Sequence, residues 1–129
     1  MIRDMDLLRA LLLKLEALPM RPGSVEHIMP NEDAVQVEGF TPDQIAYHLD
    51  LLLDSGLIDP GGYRAAEGIG FRKLTPKGHD FADSIRDSEV WQKTKKGASA
   101  AGGFTLQLIA DLAKGLVKKK IEDHTGVKL

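Results

Sequence analysis

Thr41-Pro42-Asp43-Gln44-Ile45-Ala46-Tyr47-His48-Leu49-Asp50-Leu51-Leu52-Leu53-Asp54-Ser55-Gly56-Leu57-Ile58, a glycine-rich loop, and Phe71-Arg72-Lys73-Leu74-Thr75-Pro76-Lys77-Gly78-His79 decide the fold. Thr41 is a preferred N-cap residue, and Pro42 suits the first helical position, where no N–H is needed. Ile45, Leu49, Leu52 and Leu53 recur at helical spacing and predict the buried stripe of a helix over Thr41 to Ser55. Gly56 stops that helix, and Leu57-Ile58 begins a strand. Asp59 to Gly70 holds four glycines and one proline, so it reads as a flexible loop. Phe71 to Leu74 returns as the partner strand. Thr75-Pro76 then repeats the cap-plus-proline signature, with Phe81, Ala82 and Ile85 lining the next helix.

On the N-terminal side, Met5, Leu8, Leu12 and Leu15, with Leu11 and Leu18 beside them, predict a first helix over Asp4 to Leu18. Asp4 and Asp6 suit the positive end of its dipole, and Pro19 ends it. Leu13 falls on the opposite side and reads as an isolated exposed leucine. Met20 to Asn31 is loop-like, with one short helical turn over Ser24 to Met29. Ala34 to Glu38 alternates with period two and predicts a short strand. On the C-terminal side, Ser88 reads as the cap of a short helix carrying Val90 and Trp91. Gly97 to Gly103 reads as a pliable joint. Thr105 caps a last helix with Ile109, Leu112, Ala113, Leu116 and Val117 on one side, fading near Lys120 to Asp123.

The chain of 129 residues, 43% hydrophobic and 28% charged, is long enough for one self-sufficient core. It has no cysteine, so disulfides, thiolate metal sites and thiol nucleophiles are excluded. Acids near Met1 do not resemble a signal peptide, and no apolar run reaches the length of a membrane span. A cytoplasmic setting is therefore expected. The net charge of −2 hides a division. From Trp91 onward eight lysines face three acids, a balance of +5, which leaves nine basic and sixteen acidic groups, −7, in residues 1–90.

Four segments resemble a small family of bacterial and phage proteins of unknown function, the YjcQ-like winged-helix group and its relatives. They are Arg3-Asp4-Met5-Asp6-Leu7-Leu8, Ala46 to Leu52 with Gly56-Leu57-Ile58, Leu74 to Phe81, and Ile85-Arg86-Asp87-Ser88-Glu89-Val90-Trp91-Gln92-Lys93-Thr94. Gly102 to Leu106 and the lysine run also fit. The resemblance implies an α+β winged-helix-like domain over residues 1–90, in the order helix, strand, helix, two-stranded wing, helix. A basic C-terminal helical extension over 91–129 would belong to the same compact unit or serve dimerisation. It further implies a prophage or mobile-element setting and no known reaction. One departure stands out: repressors of this plan carry two helices between the first strand and the wing, whereas here only Thr41 to Ser55 is well patterned.

That departure bears on DNA. With Ile45, Leu49 and Leu52 inward, Asp43, Tyr47, Asp50 and Asp54 lie on the outer face of their helix. Three carboxylates would meet a phosphate lattice whose affinity comes from cations, so this face suits solvent or a protein partner. Cations are found instead in the wing, at Arg64, Arg72 and Lys73 with Lys77 beyond, and in the tail at Lys118, Lys119 and Lys120. Either set offers backbone contacts to nucleic acid or docking to an acidic partner. The tail triad also suits a helix C-terminus on dipole grounds alone. Phe104 is the one bulky aromatic on the last helix's apolar side, too little for a membrane-lying helix.

Catalytic patterns are absent from the sequence. His27, His48, His79 and His124 are scattered without metal-ligand spacing, and His48, at the margin of the buried stripe, is expected to pack. Asp80, Asp83 and Asp87 read as a solvated face. Gly68-Ile69-Gly70 lacks the lysine of a phosphate loop, and no serine lies in a nucleophile motif. The expectation is a non-enzymatic binding module without cofactor or metal, working through a protein partner or self-association. A DNA-binding transcriptional regulator is the alternative.

Overall fold

In the computed structural model, which describes residues 1–100, 102 and 105–129, Asp4 caps the first helix, α1 (Met5–Glu16), by accepting the Leu7 N–H at 3.0 Å. Leu7, Leu8, Leu11, Leu12 and Leu15 are buried along it, each stabilising the fold by roughly 2 kcal/mol. The helix stops at Glu16, short of Leu18, and Leu13 is half-buried rather than exposed. Together the described residues form an α+β structure of five helices and two short antiparallel strand pairs.

The segment after α1 differs from its expected form. The strand is β1 (Glu26–Ile28), where a helical turn was expected, and it pairs antiparallel with β3 (Ile69–Phe71). The alternating Ala34 to Glu38 is not a strand: Asp33–Val35 makes one 3-10 turn. The Gln36 amide donates to the carbonyls of both Pro30 and Glu32 at 2.9 Å, which curls this backbone back on itself. Val35 is wholly buried, and the turn packs against α1. Alternation here therefore reports one buried side chain in a compact turn, not a pleat.

Helix α2 (Pro42–Asp54) carries a full capping box: Thr41 Oγ1 accepts the Gln44 N–H, and Gln44 Oε1 accepts the Thr41 N–H. Ile45, Leu49 and Leu52 are buried, and α2 packs on α1; Leu53 is only half-buried, at the edge of the stripe. His48 is buried too, and hydrogen-bonded at both nitrogens. Its Nε2 accepts the Asp4 N–H at 2.8 Å, so the ring proton sits on Nδ1 and is donated to the Gln44 carbonyl at 2.7 Å. One imidazole thus ties the start of α1 to the middle of α2.

Gly56, in the left-handed conformation with φ of 71°, turns the chain out of α2. Strand β2 (Ile58–Asp59) pairs with β4 (Lys73–Leu74). The expected return strand is thus split at Arg72, whose N–H donates to the Asp59 carbonyl at 2.8 Å. Helix α3 (Pro76–Ile85) begins at Thr75, whose Oγ1 accepts the Gly78 N–H at 3.0 Å and donates to the Gly56 carbonyl at 2.6 Å. A Cβ at Gly78 would overlap the Leu57 carbonyl oxygen, so only glycine admits this contact.

Packing divides the chain into two compact units, Met1–Ala82 and Asp83–Leu129, a boundary that differs from the expected 90/91, where the charge balance changes. In the second unit α4 (Ser88–Ala100) packs along α5 (Leu106–Thr125). Helix α4 is long, not short, and its cap is Asp87, not Ser88: Asp87 Oδ1 accepts the Val90 N–H at 2.9 Å. Of the expected joint, Gly97 to Ala100 is helical; a Cβ at Gly97 would press Leu112 Cδ2 at 3.0 Å, so the glycine permits close approach of the two helices. Ala101, Gly103 and Phe104 lie outside the described residues. Thr105 caps α5 as expected, with Ile109 and Ala113 buried and Leu112, Leu116 and Val117 half-buried. The helix runs on to Thr125, which places Lys118 to Lys120 ahead of its last turn and removes the dipole rationale for them.

Two glycines test this packing in opposite directions. Gly78→Ala should lower unfolding stability by about 2 kcal/mol or more, because a backbone carbonyl must move. Gly115→Ala in α5, with open space around it, should raise stability by about 1 kcal/mol. Urea unfolding of both variants checks the pair. His48→Leu leaves the Asp4 N–H without its acceptor and should cost roughly 1–3 kcal/mol in the same measurement.

Candidate functional site

The carboxylates that α2 turns outward form one wall of a cleft. Asp43, Tyr47, Asp50 and Asp54 are all exposed, as the helical spacing requires, and Asp50 and Asp54 are brought together one turn apart. Across from them the loop between β2 and β3 supplies Tyr63, Arg64 and the backbone of Gly62, Gly68 and Gly70. The open cleft has a volume of about 460 Å³, with Leu53 and Ile69 also lining it. Asp43 and Tyr47 share the helix face but do not line the cleft.

The loop is held at both ends. Asp59 Oδ1 accepts the Gly61 N–H at 2.7 Å, and the His27 ring donates to the Glu67 carbonyl at 2.7 Å. Tyr63 meets His27 edge to face, with ring centroids 5.7 Å apart. Beneath it, a Cβ at Gly70 would lie 2.8 Å from Tyr63 Cδ1 and 2.9 Å from the Pro60 carbonyl oxygen. The missing side chain at Gly70 therefore lets the tyrosine settle against the sheet. Sequence reading passed over Tyr63, although an aromatic alone in a glycine-rich loop was its visible signal.

The electrostatics of the cleft are unbalanced. Burial pushes the Asp50 carboxyl above its ordinary value, the like charge of Asp54 adds to that, and Arg64 opposes it without cancelling it. Asp50 is exposed at its surface, yet the cleft walls remove enough water to penalise its charge.

The expected cations are dispersed, and Arg72, Lys77 and Lys120 among them have protein partners. Arg64 acts on Asp50. Arg72 pairs with Asp59 at 3.5 Å, and Lys73 stands opposite the same Asp59 in the strand register. Lys77 donates to the Ser55 carbonyl at 3.0 Å. In the tail, Lys118 and Lys119 are exposed, whereas Lys120 pairs with Asp87 at 2.8 Å. That hydrogen bond holds the Asp87 carboxyl below its usual range and pushes the Lys120 ammonium up. Asp83 pairs with Arg86 at 2.8 Å, and among the described residues no group of His, Asp or Glu is arranged to hold a metal ion.

A family model described as "Hypothetical protein (DUF2513)" matches residues 2–104. The chain belongs to DUF2513. The match spans the first unit from its second residue onward, and α4. An uncharacterised protein of Haemophilus influenzae strain KW20 Rd is 30% identical over 124 residues, covering 94% of this chain and 99% of that protein. No solved structure matches significantly. The expectation of an uncharacterised family is thus met at the level of DUF2513, and these kinships carry no activity with them. No described helix is long and apolar enough to cross a membrane.

The raised Asp50 pKa has a definite sign. Its folded value lies above the unfolded one, so the carboxylate lowers stability at neutral pH, and the penalty disappears as pH falls below the ordinary 3.8. Asp50→Asn should therefore raise the urea midpoint at pH 7, with the gain over the parent vanishing in acid below that value. Urea titrations across this pH range check both halves.

Proposed function

We propose that this DUF2513 chain is a non-catalytic binding module on a winged-helix plan that works through protein–protein contacts. Element order supports the plan: α1, β1, a 3-10 turn, α2, then β2 and β3–β4 around a loop, and α3. The single turn at Asp33–Val35 stands where repressors of that plan carry a full helix. A cytoplasmic setting, and the prophage or mobile-element kinship suggested by YjcQ-like proteins, belong to the same reading.

The observation that carries it is the outward face of α2. In the position of a groove-reading helix stand Asp43, Tyr47, Asp50 and Asp54: three carboxylates and a phenol, all exposed. Phosphate contacts from Lys and Arg supply most non-specific DNA affinity, and here the adjacent Arg72 and Lys77 already serve the protein's own acceptors. The face is chemically suited to a basic protein surface. In the second unit, half-buried Leu116 and Val117 with exposed Ile121 support self-association through α5 as an additional contact.

A DNA-binding regulator is the second reading, favoured by exposed Lys73, Lys118 and Lys119. Fluorescence anisotropy with labelled duplex DNA at low salt separates the two. The protein-binding reading expects only weak association that Arg64→Ala, Arg72→Ala and Lys73→Ala together leave unchanged. Salt-dependent binding abolished by that triple variant would establish the regulator instead.

A further inference from the structure

We infer that the cleft between α2 and the loop over residues 60–68 receives an arginine side chain from a basic segment of the protein partner, in competition with the chain's own Arg64. The inference rests on the protein-binding reading and names the chemistry of the partner.

Three independent features converge on a guanidinium. Asp50 and Asp54, one helical turn apart, present two carboxylates on one wall, either of which can accept the paired N–H donors of a guanidinium. Leu53 gives the same cleft an apolar surface, which matches the methylene stem of a long cationic side chain. Tyr63, fixed by His27 and by the room left at Gly70, supplies an aromatic wall of the kind a guanidinium stacks upon. The volume of about 460 Å³ exceeds what one such side chain needs, so flanking residues of the partner also fit.

Arg64 is the internal precedent. It sits on the opposite wall, near enough for its charge to act on Asp50, yet it is exposed and leaves the acidic wall under-compensated. An incoming guanidinium completes that compensation and displaces Arg64 toward solvent. The same geometry disfavours any anionic ligand, because phosphate would meet Asp50 and Asp54 first. Arg64 is thus placed as a competitor of the partner's cation, not as its helper.

This role has a signature that surface stickiness lacks. The probe is a fluorescein-labelled, amidated nonapeptide with three arginines, compared with its lysine and glutamate counterparts by anisotropy on the full chain at low ionic strength. Arg64→Ala should tighten the arginine peptide about threefold, the scale of one exposed charge pair. Asp50→Asn and Asp54→Asn should each weaken it by about threefold or more, while Asp43→Asn, outside the cleft, changes it by less than about twofold. The glutamate peptide should not bind. Equal losses in all three aspartate variants would reduce the attraction to diffuse charge and overturn the cleft. Unchanged or weaker binding by Arg64→Ala would overturn it as well. If the peptides do not bind but a host protein is captured equally by the parent and Asp50→Asn, the cleft assignment fails while the protein-binding reading stands. Duplex DNA bound through Arg64 would sink both.

Discussion

The carbonyl groups at the end of α2 hold the first unit together. Ser55, Gly56 and Leu57 have left the helix and need partners, and the chain just before and within α3 supplies them. Lys77 donates to Ser55, Thr75 Oγ1 to Gly56, and the Thr75 N–H to Leu57, while Gly78 lies directly against the Leu57 oxygen. Leu57 is buried, where an unpaired carbonyl is costly, and the bonds to Ser55 and Gly56 add to it, so this clasp fixes where α3 starts relative to where α2 stops. With both ends set, β2 and β4 have one register, and the loop between β2 and β3 must cross the outer side of α2. The cleft is a consequence of that crossing.

Much of this was visible in the chain because it is local. Thr41, Thr75 and Thr105 announce helix starts through bonds reaching only three residues ahead, and each cap is present. The buried stripe of α2 follows from spacing alone. What escaped reading depends on distant partners. β1 is three residues long and exists because Gly70 and its neighbours lie beside it, some forty positions away. Ala34 to Glu38 alternates like a strand, yet the Gln36 amide closes it into a turn. Gly97 to Ala100 looks like a joint, but glycine in a helix is tolerated where a second helix comes close, as Leu112 does.

The candidate site shows the same division. Each half was legible: the acidic face from helical geometry, the loop cations from composition. Their juxtaposition was not, because the path of a glycine-rich loop is set by side chains elsewhere, His27 and Asp59 above all. Bringing the halves together changes the meaning of both. Arg64 shares the cleft with Asp50 and Asp54, and its charge opposes the rise in the Asp50 pKa.

The loop's anchoring has a consequence for diversification. Its entry is fixed by an Asp59 bond to a backbone N–H, and its exit by a His27 bond to a backbone carbonyl. Neither hold consults the identity of the residues between. The exposed side chains of Ala66 and Glu67 are therefore exchangeable while the frame stays put. A lineage can rewrite this rim to suit a new partner without renegotiating the core, much as a tool keeps its handle and changes its bit.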